Sequence, residues 1–131
     1  MDDSADAPAW GAPESDWSNY LASLIPGSSR EFRLFDGTRI DIYTPEIEGE
    51  RYAIEVDYGR KWAECIGQAA WYGTATKSTP VALLLVKDDR VETRFIYRAM
   101  LTGQRAKVSV WAYNIVENRW TANYNFPRTP L

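Results

Sequence analysis

A chain of 131 residues with a formal net charge of −3 has room for one domain and one core, and it lacks the positive charge that coats nucleic acid by bulk electrostatics. With no histidine and a single cysteine, Cys65, it excludes His-based catalysis, a His/Cys zinc site and an internal disulfide, and the lone thiol fits a reducing compartment. The N-terminus has neither the basic region nor the apolar run of a signal peptide, and no apolar stretch is long enough for a membrane span, so the expected location is cytoplasmic.

Residues 1–13, rich in Asp, Ala and Pro, are expected to be a disordered tail, with a single domain over 14–131. In "ESDWSNYLASLIPG" the apolar Trp17, Tyr20, Leu21 and Leu24 fall at helical spacing, and Pro26-Gly27 ends the helix. "REFRLF" reads as a strand, "DGT" at Asp36–Thr38 as a hairpin turn, and "RIDIYT" as the returning strand. After the polar loop "PEIEGER", "YAIEVDY" is a third strand rich in β-branched and aromatic residues. "RKWAECIGQAAWYGTATK" is a helix, and "TPVALLLVK" a strand buried on both faces. "VETRFIYRAMLTG" is a helix expected to stop at Gly103, and "KVSVWAYNI" a further strand. The tail from Val116 is read as an edge hairpin or a lid. Helices separate the last three strands, so these should be parallel; the sum is an α/β mixed sheet with helices on its faces, ordered αβββαβαβ.

The third strand carries acids where the chain looks most buried. Alternation puts Ala53, Glu55 and Asp57 on one face and Ile54, Val56 and Tyr58 on the other. On the second strand Asp41 is expected on the face opposite Ile40 and Ile42, so Asp41, Glu55 and Asp57 can meet. Carboxylates about 4 Å apart repel by roughly 4 kcal/mol at an effective dielectric near 20, so the cluster needs protons, cations or a divalent metal. Carboxylates without His or Cys suit Mg²⁺ or Mn²⁺. On the following helix Lys61, Gln68 and Tyr72 share a row that can look back at the acids, with Glu64 and Cys65 beside it. An ammonium there could orient or activate a metal-bound water. The plainer alternative makes the acids and Lys61 solvated surface charges. Cys65, in an alanine-rich helix, is expected to pack rather than react. Six Trp and eight Tyr can fill a small core or stack on bases or a partner.

The order strand–Asp, strand–Glu-x-Asp, helix with Lys and "GQAAWY" resembles the PD-(D/E)XK nuclease superfamily, which includes restriction endonucleases and Holliday junction resolvases. "DGTRIDIYTP" and "YAIEVDYGRKWAECIGQAAWY" carry the likeness, over residues 30–87 or so. It implies a restriction-endonuclease-like αβββαβ core with a mixed central sheet flanked by helices, and a Mg²⁺-dependent DNA endonuclease. It matches Asp41 and Glu55 to the metal-binding acids, with the Val56 carbonyl beside the metal. It matches Gln68 to a helix glutamine, and Glu31 or Glu14 to an extra acid found in some members. The superfamily lysine is replaced by Asp57, which leaves Lys61 as the migrated lysine and Asp57 as a further metal ligand or its holder. Arg30, Arg33, Arg39, Arg60 and Lys77 are candidate phosphate contacts, equally readable as surface charge. Branched or duplex DNA is the implied substrate and a homodimer the implied assembly. The departure at Asp57 leaves a second expectation, a nuclease-like domain that has lost catalysis and binds nucleic acid or a protein partner.

Overall fold

The computed structural model describes residues 7–87 and 89–121. Within them the chain forms helix α1 (Glu14–Ser23), strands β1 (Ser29–Arg33), β2 (Arg39–Tyr43) and β3 (Tyr52–Tyr58), a 3₁₀ turn (Gly59–Lys61), helix α2 (Trp62–Thr76), β4 (Thr79–Val86), α3 (Asp89–Ala106), β5 (Ser109–Asn114) and β6 (Arg119–Trp120). The six strands make one mixed sheet in the order of the chain. The β1–β2, β2–β3 and β5–β6 pairs are antiparallel, whereas β3–β4 and β4–β5 are parallel, as their helical crossovers require.

Alternation along the strands divides the core. Tyr52, Ile54 and Val56 of β3, with Val81, Leu83 and Leu85 of β4, pack on one face with Trp17, Leu21, Ala22 and Ile25 of α1 and its exit. The opposite face of β4 and β5 packs against Cys65, Ile66 and Ala69 of α2 and Ile96 and Ala99 of α3. No helix among the described residues is long and apolar enough to cross a membrane.

Three expectations change on contact with the structure. First, α3 runs through Gly103 to Ala106. Its stop is Lys107, in the left-handed region at φ 60°, and the Val108 amide closes the turn on the Gly103 carbonyl at 2.9 Å. The glycine is thus the acceptor of the terminating bond, not the left-handed residue. Second, residues 7–13 of the expected tail lie against the domain: Tyr58 Oη donates to the Ala12 carbonyl, and Lys87 Nζ sits 4.6 Å over the Trp10 ring. Third, β2 does not alternate regularly. Ile42 joins the α1-side core, but Ile40 joins Tyr43, Ala53 and Tyr72 on the α2 side. The alternation breaks at Asp41, opposite Glu31, which holds φ 54°. Residues 119–120 give the tail an edge strand; its expected continuation from 122 lies outside the described residues.

Candidate functional site

The break in alternation at Asp41 builds the site. Register pairs join β2 to β3 only at Ile42–Ile54 and Tyr43–Ala53. Past that point Asp41 Oδ2 accepts the Val56 amide at 2.8 Å, so a side chain takes a donor that a regular ladder would satisfy with a backbone carbonyl. The carboxyl of Asp41 is thereby fixed against β3, facing Glu55. Glu55 and Asp57 are 7% and 6% exposed, on the α2-facing side of a strand otherwise apolar.

Burial, and next the charges of Asp41 and Asp57, push the Glu55 carboxyl up to about 10. Glu55 therefore keeps its proton at neutral pH and shares it with Asp41, whose own carboxyl is raised by burial and held down by the Val56 amide and by Glu55. The Tyr72 hydroxyl, reaching in from α2, opposes the rise at Glu55. Glu55 Oε1 is nonetheless buried with no hydrogen-bond partner. Leaving such an atom unmet costs about 1–3 kcal/mol, and of the four buried polar atoms without a partner among the described residues (with Trp17 Nε1, Ser28 Oγ and Arg30 Nε) it alone belongs to the acid cluster.

A second group adjoins the first along β3. Burial, then the charge of Glu14 and a hydrogen bond with it, lift Asp57 to about 7, while Lys61 pulls it down. Lys61 Nζ lies 3.5 Å from Glu14 Oε2, and the same oxygen faces the Tyr58 amide at 3.5 Å. Glu14 stands in the first turn of α1, where the helix dipole favours an anion. Lys61 is 41% exposed, so its head is available at the rim.

The expected residues thus fall into separate places. Asp41 and Glu55 meet; Asp57 and Lys61 meet around Glu14; and among the described residues no three acidic or sulfur side chains are grouped as ready metal ligands. Gln68 is exposed on α2, as are Glu64 and Trp71, and no contact joins it to the acids among the described residues. Arg30 donates to Asn19 and lies 3.3 Å from Glu31, which also binds Arg39 at 3.3 Å. Arg60 packs 5.4 Å over the Tyr58 ring, beside the site. Lys77 caps the far end of α2 in the left-handed conformation, about 20 Å of helix away from Lys61. Cys65 is fully buried and its Sγ donates to the Glu55 carbonyl at 3.4 Å, a packing role. Tyr72 is the member that sequence reasoning left without a role; its place four residues after Gln68, on the inward side of the row, was the available signal.

The paired carboxyls fit a divalent cation in one respect: they hold a proton that a cation would displace, and Mg²⁺ is commonly bound by one or two carboxylates with its remaining positions left to water and phosphate. No protein-family model matches the chain, and no curated protein matches it significantly.

Proposed function

We propose that this chain is a Mg²⁺-dependent endonuclease of the PD-(D/E)XK type, hydrolysing phosphodiester bonds in DNA. The observation that carries the reading is the Asp41–Glu55 pair on β2 and β3, with Glu55 Oε1 buried and unpartnered. The element order αβββαβ, with α2 covering the acids, agrees with the core that the superfamily resemblance implies. Asp41 and Glu55 would hold the cation. When bound, it would supply Lewis-acid polarisation of the phosphate and a more acidic water. The chain's own part is to fix Asp41 through the Val56 amide, to exclude bulk water from Glu55, and to present Lys61 at the rim. Glu14 and Asp57 would hold the Lys61 ammonium until a phosphate competes for it.

Calorimetric titration with Mn²⁺ and a cleavage assay on single-stranded, duplex and branched DNA test this together. Wild type should bind Mn²⁺ and cut; Glu55→Gln should lose both. Lys61→Ala should keep metal binding and lose cleavage by about 10²-fold or more, the range of a positioned proton donor or acceptor. A wild type that binds no Mn²⁺ overturns the reading. One observation favours a second reading, a nuclease-like scaffold without catalysis: Lys61 is already ion-paired with Glu14, and an acid occupies the usual lysine position. Nucleic-acid binding without Mn²⁺ binding would select that reading.

A further inference from the structure

Beside the acids lies an aromatic feature that neither the core nor the proposed chemistry uses. Phe35, at the tip of the β1–β2 hairpin, is 84% exposed, and Trp71 on the outer side of α2 is 38% exposed. Their ring centroids lie 6.0 Å apart at an interplanar angle of 66°, an edge contact that leaves ring faces open. The pair is held in place. Asp36 Oδ1 accepts from the Thr38 amide at 3.0 Å and from its hydroxyl at 2.7 Å, and Trp71 Nε1 lies 3.4 Å from the same Thr38 Oγ1. The turn and Trp71 are therefore preorganised, which lowers the ordering cost on binding to that of the Phe35 ring.

Its position relates it to the acids. Thr38 immediately precedes β2 and stands three residues before Asp41, about 10 Å along the chain. Trp71 adjoins Tyr72, which reaches Glu55 from the inward side of the same helix. Arg33, exposed, and Arg39, whose side chain is 53% exposed, flank the hairpin tip. Together the two rings expose at most on the order of 300 Å². That is well below the roughly 800 Å² per partner of a stable protein interface, but comparable to the face of a nucleobase.

We infer that Phe35 and Trp71 form a stacking platform for unpaired bases of single-stranded DNA leading to the Asp41–Glu55 pair, a specification that rests on the proposed nuclease reading. Bases within a duplex do not offer their faces, so the platform selects single strands, flaps or frayed ends. With a net charge of −3, and with Glu31 occupying both Arg30 and Arg39, stacking rather than phosphate attraction must supply most of the affinity.

Fluorescence anisotropy in EDTA, where nothing is cut, reads this directly. Labelled oligo(dT) is compared with an abasic strand of the same length and charge and with a duplex. Wild type should prefer oligo(dT) over the abasic strand by about tenfold or more, the order expected of base–aromatic stacking. Phe35→Ala, at a site open to solvent, should erase the preference, and Phe35→Trp should retain it. Equal affinity for abasic and base-bearing strands, a preference for duplex, or no binding to any strand overturns the platform. So does a Phe35→Ala effect confined to self-association in sedimentation. Base-dependent binding by a wild type that neither binds Mn²⁺ nor cuts keeps the platform and removes the nuclease reading; cleavage without base dependence does the reverse.

Discussion

Glu55 is the residue on which most depends, and its carboxyl has a thermodynamic signature independent of any substrate. In the folded protein it titrates near 10, against an ordinary 4.5, because burial and two neighbouring acids disfavour its charge. The folded state thus holds a proton that the unfolded chain has released. That contribution to stability is complete below the unfolded value and is lost as pH rises towards 10, at up to about 1.4 kcal/mol per pH unit. Asp57 adds the same sign between its ordinary 3.8 and about 7. Glu55→Gln removes the titration but keeps the shape. In EDTA, urea midpoints at pH 5, 7 and 9 should fall more steeply for wild type than for Glu55→Gln, and the variant should be the more stable at pH 9. Parallel profiles would mean that Glu55 ionises freely. The charge at this position was legible in the sequence, since strand alternation alone puts Glu55 and Asp57 on one face. The place of Asp41 was legible only in outcome: it does meet Glu55, but through a break in the strand's alternation that no period-two rule contains.

Helix α2 links the site to the sheet, and its two interior glycines do opposite things. At Gly73 an added Cβ would meet Pro80 Cβ and Cδ at 2.9 Å, so the glycine is what lets the helix approach β4 closely. At Gly67 nothing lies within 4 Å. Gly73→Ala should therefore destabilise by about 1–3 kcal/mol through overpacking. Gly67→Ala should stabilise by up to about 1 kcal/mol through helix propensity. Thermal or chemical denaturation of the two variants checks both signs, and a neutral Gly73→Ala would show that Pro80 yields. Sequence patterning read β3 over its full length, because seven residues of β-branched and aromatic character stand between a polar loop and a glycine turn. It misread the end of α3, because glycine is the commonest left-handed residue and lysine a rare one. Both α2 and α3 end on a lysine in that conformation, Lys77 and Lys107, four residues after a glycine whose carbonyl accepts the closing bond. The lysine charge at a helix C-terminus offsets part of the backbone strain.

At the scale of the molecule, the acidic balance limits how any polyanion can be held. Each phosphate neutralised on a single strand contributes about −0.7 to the slope of log K against log salt. Around the hairpin tip and the acids, Arg33 is exposed, Arg60 lies over Tyr58 and Glu31 engages Arg30 and Arg39, so a strand held there has about two or three phosphate partners. The slope for oligo(dT) should therefore be no steeper than about −2. A slope near −5, read by anisotropy between low and moderate salt, would mean that the strand also engages cations outside this patch, such as the exposed Arg94, Arg98 and Arg105 of α3.

The bond from the Val56 amide to Asp41 makes the sheet and the site one object. A carboxylate that serves as an honorary rung of the ladder cannot be drawn towards a new ligand without loosening that rung. The Val56 amide is then a built-in gauge of occupancy, remote from solvent and free of any label. Its proton should exchange slowly while Asp41 holds it, and its nitrogen resonance should move whenever the carboxylate is recruited elsewhere. Filling the site would be written into the backbone of β3 before any bond in a substrate is broken.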